Sequence, residues 1–108
     1  MAGKPLPAPV GRAMNQIGED LATWRRLRNL TVAQVAERAD VARGVVIKLE
    51  AGGGATLGSV LRVARALGIL DSLASAIDPY RTDVGRLRSE ETLPQRVRHR
   101  VVPPEKSS

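Results

Sequence analysis

Two short apolar repeats at helical spacing flank a single break between Thr31 and Glu50, and no other stretch restricts the fold as much. Val35, Ala36 and Ala39 form the inward stripe of a first helix. Asp40 stands where the chain must turn, and Val41 points back inward. Val46 and Leu49, three apart, give a second helix its buried side. Ala36 is small, and two helices cross closely only over a small side chain. This is the geometric requirement of a helix-turn-helix motif, which leaves the far side of its second helix bare.

Composition removes several classes of function. The chain has 108 residues, enough for one small domain with arms. It has no cysteine and one histidine, which excludes disulfides and cysteine metal sites and leaves little for nucleophilic chemistry. No pair of carboxylates has a spacing that suggests acid–base work, so no enzyme, no metal and no cofactor are expected. No apolar run approaches the roughly 18 residues of a membrane helix. The proline-rich N-terminus lacks the apolar core of a signal peptide, so a cytoplasmic location is expected. The net charge of +6 points to a polyanionic partner. Trp24 and Tyr80 are the only aromatic residues, which argues against a stacking platform for single strands.

Residues 1–12, with Pro5, Pro7 and Pro9, read as a flexible arm. A first helix is predicted over about 15–28, with Ile17, Leu21 and Trp24 inward and Arg25, Arg26 and Arg28 in its last turn. Asn29 suits a left-handed C-cap and Leu30 the core. Thr31 is the predicted N-cap of helix two, which ends near Ala39; Asp40 tolerates a left-handed turn. Helix three follows over about 43–51. Gly52-Gly53-Gly54 is a helix stop and link, since a phosphate loop would need a preceding strand and a following Lys-Ser pair. Thr56 caps helix four, whose predicted stripe is Leu57, Val60, Leu61, Ala64 and Leu67, with Gly68 ending it. Helix five spans about 70–77, with Leu70, Leu73, Ala74 and Ile77 inward. These elements make residues 13–79 an all-α domain. Residues 80–108 form a basic tail in which Asp83 to Arg88 fits one helical turn. Within the tail, residues 95–102 alternate arginines with valine and histidine, compatible either with an edge strand formed on a partner or with disorder.

The register from Ile17 to Ile77 resembles the lambda-repressor-like, or Xre-type, helix-turn-helix family. The residues that carry the likeness are Ile17-Gly18-Glu19, Leu21 and Arg25, Leu30-Thr31, Ala36, Val41, Val46, Leu49, Glu50 and Gly52. It implies a five-helix DNA-binding domain and a bidentate structural ion pair between Arg25 and Glu50. It makes helix three the recognition helix, with Arg43, Gly44, Ile47 and Lys48 turned outward as base contacts. Arg43 and Lys48 suit guanine or phosphate, and Ile47 a thymine methyl. Arg26, Arg28, Val32, Gln34, Gly53 and Thr56 are the expected phosphate contacts, the last ones through backbone N–H groups near helix starts.

Three positions depart from the family pattern. Val32 replaces the glutamine that opens helix two, Asp40 the turn glycine, and Ala42 the serine that caps helix three. Direct readout should therefore be thin, with one strong base contact per subunit at about 1–3 kcal/mol. A homodimer on a pseudo-palindrome is then expected, with its recognition helices about 34 Å apart and Leu70, Leu73 and Ile77 at the dimer interface. The later segment, Leu57 through Gly68, Leu73, Asp78-Pro79 and an arginine-rich tail, is similar in layout to HipB-like antitoxins of Hip-type kinase toxins. That likeness implies an autoregulatory repressor that also binds a kinase-type toxin. Against this stand two other readings: a stand-alone Xre-type regulator, or an interaction module that uses the fold without reading DNA, favoured by apolar Val32, Ala42, Val45 and Ile47 on the presumptive DNA side.

Overall fold

In a computed structural model, which describes residues 5–81 and 83–92, every regular element is a helix. The α-helices are α1 (Ala8–Leu27), α2 (Val32–Ala39), α3 (Arg43–Glu50), α4 (Leu57–Leu67), α5 (Leu70–Ala76) and α6 (Asp83–Thr92), with one 3-10 turn at Pro79–Arg81. The chain divides into two compact units, one ending at Asp71 and the other beginning at Ser72.

The first unit carries the core. Leu21, Leu30, Val35, Ala36, Ala39, Val46, Leu49, Val63 and Leu67 pack as one buried cluster. In it α1 packs on α3, and α2 packs on both α3 and α4. Fully burying a side chain such as Val35 or Leu67 is worth about 1.5–3 kcal/mol relative to exposure, so this cluster is what holds the helix-turn-helix together.

Helix ends follow from local chemistry. Thr31 Oγ1 accepts from the Gln34 N–H (3.1 Å) and Gln34 Oε1 accepts from the Thr31 N–H (2.8 Å), a reciprocal capping box that starts α2. Asp40, at φ 58°, ends α2 in the left-handed conformation that a short polar side chain tolerates. Asn29, also at φ 58°, turns the chain after α1 in the same way. Thr56 Oγ1 accepts from the Ser59 N–H (3.1 Å) to cap α4. Gly68, at φ 80°, closes α4 where a side chain would be strained. No side chain caps α3, as Ala42 requires.

Four sequence expectations need correction. Helix α1 begins at Ala8, with proline in its first turn where a missing N–H costs nothing, so residues 8–12 are helical and not part of a flexible arm. Its buried side is Gly18, Leu21 and Ala22, while Ile17 and Trp24 are exposed. The inward stripe follows the small residues that permit close crossing, not the bulkiest apolar ones. In α4 the stripe is likewise turned: Val63, Ala64 and Leu67 are buried, whereas Leu57 at the first helical position is 71% exposed. Finally, α5 ends at Ala76, and Leu73 and Ile77 face solvent, with Ile77 87% exposed.

The second unit extends beyond the predicted domain end. Asp78 Oδ1 accepts from the Tyr80 N–H (2.9 Å) and shapes the 3-10 turn. Arg86 donates to the Tyr80 carbonyl (2.8 Å) and pairs with Asp83, tying α6 to that turn. The expected single turn after residue 83 is therefore a helix of 10 residues. The alternating segment at 95–102 lies outside the described residues.

Candidate nucleic-acid interface

The ion pair that orients α3 lies at the α1–α3 crossing. Arg25 donates from Nε to Glu50 Oε2 (2.7 Å), from Nη2 to Glu50 Oε1 (3.1 Å) and from Nη1 to the Leu30 carbonyl (3.1 Å). The fork-to-fork geometry is the one implied by the resemblance. The Glu50 hydrogen bond, opposed by burial and aided by the nearby charge, raises the Arg25 pKa above its ordinary range. Beside it, Gly18 lets the two backbones touch. A Cβ there would lie 2.5 Å from the Leu49 carbonyl oxygen and 2.8 Å from that of Glu50.

With Val46 and Leu49 buried, helical geometry turns Arg43, Gly44, Ile47 and Lys48 to the opposite side, and all four are exposed. Ile47 is 57% exposed, with no partner in the core. Neither Arg43 nor Lys48 forms an ion pair or side-chain hydrogen bond among the described residues. The Lys48 stem lies against Gly53, where a Cβ would come within 2.5 Å of Lys48 Cγ. An open groove lined by Ala33, Gln34, Glu37, Val41 and Arg43 runs between α2 and α3. The result is a short rod with two uncommitted cations and one apolar side chain, supported from behind by the core.

The expected phosphate contacts fare unevenly. Arg26 is exposed and has no ion pair or side-chain hydrogen bond among the described residues. Arg28 is committed elsewhere: Nε donates to the Leu67 carbonyl (2.9 Å) and the guanidinium stacks 5.2 Å from the Trp24 ring centre. It satisfies a terminal carbonyl of α4, a structural duty that argues against its role as a phosphate contact. Arg28→Ala should therefore lower stability by about 1–2 kcal/mol, read in urea unfolding, while leaving the salt dependence of any DNA binding unchanged. Gly53 must also be withdrawn. Its N–H donates to the Lys48 carbonyl (2.8 Å) and the Gly52 N–H to that of Leu49 (3.0 Å), closing the C-terminus of α3. Gln34 and Thr56 are exposed; their caps use Gln34 Oε1 and Thr56 Oγ1, which does not engage the Gln34 amide N–H donors that a phosphate would accept from. Val32 opens α2 with its side chain against the core. Sequence reasoning missed the Arg28 cap because that bond joins residues far apart in the chain, whereas the glycine stop after α3 is local and was expected.

Among the described residues no group of His, Asp and Glu side chains could hold a metal ion, and no helix is long and apolar enough to cross a membrane.

Fold and surface together define a helix-turn-helix domain whose second helix, α3, carries two exposed cations. Residues 21–71 match the helix-turn-helix family model HTH_3, so this segment is similar to that family. The match supports a DNA-binding transcription regulator. No curated protein matches the chain.

Proposed function

We propose that the chain is a homodimeric, autoregulatory repressor that reads a pseudo-palindromic operator through Arg43, Gly44, Ile47 and Lys48, with phosphate contacts from Arg26 and from the backbone at Val32 and Thr56. The observation that supports this most is the bare outer side of α3, where two cations without an ion pair among the described residues flank an exposed isoleucine. One recognition helix covers too few base pairs for useful discrimination, so two copies are required. Leu73 and Ile77 are exposed apolar side chains that suit such an interface, with Leu70 half-buried next to them in sequence. The finer reading, an antitoxin paired with a Hip-type kinase toxin, rests on the layout of residues 57–79 and the basic tail; an adjacent gene with a kinase active site would support it.

The interaction-module reading is the weaker one. Of the four apolar residues that favour it, Val32 and Val45 pack on the core, which leaves only Ala42 and Ile47 on the outside.

Selection of duplexes from a randomised library tests the proposal. The full chain should enrich a two-fold symmetric motif. Arg43→Ala should weaken that site by about 1–3 kcal/mol and relax one position, whereas Arg26→Ala should weaken all duplexes alike and reduce the salt slope by about 1. Unchanged affinity for both variants at about 150 mM salt would remove this docking.

A further inference from the structure

Glycine within a helix costs stability relative to alanine, so a helical glycine on the side proposed to meet DNA invites a reason. In α1, Gly18 has one, because the Leu49 and Glu50 carbonyls occupy the space of a side chain. Gly44, the second residue of the recognition helix, has none inside the protein. A Cβ there would meet no atom within 4 Å. Its φ is not in the positive range, so the backbone does not demand glycine either. Nevertheless it sits on the outer arc of α3, with Arg43 before it and Ile47 and Lys48 one turn on, all exposed.

We infer that Gly44 is a specificity-determining notch: the missing side chain lets α3 seat against a thymine C5-methyl in the major groove, between the reach of Arg43 and that of Ile47. The inference rests on the DNA-binding reading above. The thymine methyl is the one apolar projection on the major-groove edge of a base pair, and a gap one methyl deep is its complement. A cytosine at that position would present no methyl and would leave the notch empty. A side chain at residue 44 would hold the helix off the base edges and shorten the reach of Arg43 to a guanine.

This predicts opposite effects on fold and binding, which a purely structural glycine would not show. Gly44→Ala should raise the Tm of the full chain by about 2–5 °C, because it adds helix propensity without a clash. On a duplex selected by the wild-type protein it should lose at least about tenfold in affinity. Gly11→Ala is the control. Gly11 is also helical, also has nothing within 4 Å of its Cβ position, and lies far from α3 in sequence. It should gain stability and keep its affinity.

The decisive arm replaces each thymine of the selected duplex in turn by deoxyuridine, which removes only the methyl. At one thymine per half-site, wild-type affinity should fall and Gly44→Ala affinity should recover. If Gly44→Ala binds within twofold of wild type, or if no single deoxyuridine substitution restores it, the notch is refuted. In that case loss of affinity on Arg43→Ala would still uphold the DNA-binding reading. If wild-type protein selects no motif at all, both fall together.

Discussion

Arg25→Ala should lower the unfolding free energy by about 3 kcal/mol and the Tm by more than about 10 °C. The guanidinium makes three hydrogen bonds, two to Glu50 and one to the Leu30 carbonyl. Its side chain and that of Glu50 are 16% and 15% exposed, so water replaces the lost partners poorly. A surface pair would cost far less; Arg62 and Asp40, 3.6 Å apart and mostly exposed, should contribute under about 1 kcal/mol. Arg25→Lys should recover less than half of the loss, because an ammonium cannot make the fork. The pH dependence follows from the sign of the shift. The folded pKa of Arg25 is raised, so the stabilisation is complete below the unfolded value and fades only as pH climbs through the folded value. Both lie beyond the mildly alkaline range, so protonation of Arg25 should add no slope to stability between about pH 5 and 9. Equal unfolding midpoints for wild type and Arg25→Ala in urea would show that the crossing is held by packing alone.

The second large effect is expected at Gly18. An alanine methyl must displace the carbonyl oxygens of Leu49 or Glu50, which are backbone atoms and do not swing aside. Overpacking of this kind costs about 1–3 kcal/mol even after the gain in helix propensity, and Gly18→Val should exceed that range. The strain also acts on function. It pushes α3 away from α1, so DNA affinity should fall along with stability, unlike the opposed effects expected at Gly44. Crossing the two variants with Arg25→Ala separates the causes. Gly18→Ala and Arg25→Ala meet at Glu50 and should be non-additive by more than about 0.5 kcal/mol, whereas Gly44→Ala and Arg25→Ala should add. Additivity of the first pair would mean that Gly18 does not position the ion pair.

What could be read from the chain, and what could not, has a physical basis. The helix-turn-helix was legible because its determinants are local. Val35, Ala36 and Ala39 on one turn, Asp40 at the break and Val46 with Leu49 on the next are all within a few residues of one another, and each occupies its predicted place. Caps at Thr31, Thr56 and Gly68 were legible for the same reason. The faces of α1 and α4 were misjudged because periodicity weighs large apolar residues, whereas crossing distance selects small ones; Gly18 and Ala22 are buried while Ile17 and Leu57 are not. The start of α1 was set too late because three prolines suggested an arm, although Pro9 falls where a helix accepts one. The duty of Arg28 was hidden because a cation shows its availability only when its tertiary partner, here the Leu67 carbonyl, is in view, whereas the engaged Gly53 N–H follows from the glycine stop that the sequence already marks after α3.

Guanine methylation interference shows whether the outer side of α3 meets base edges through Arg43. With wild-type protein, methylation of guanine N7 at one position in each half-site should abolish binding to the selected duplex, and with Arg43→Ala the same methylation should make no difference while interference elsewhere persists. An interference pattern identical for both proteins would contradict the account, since the bare cation at the head of α3 would then touch no base.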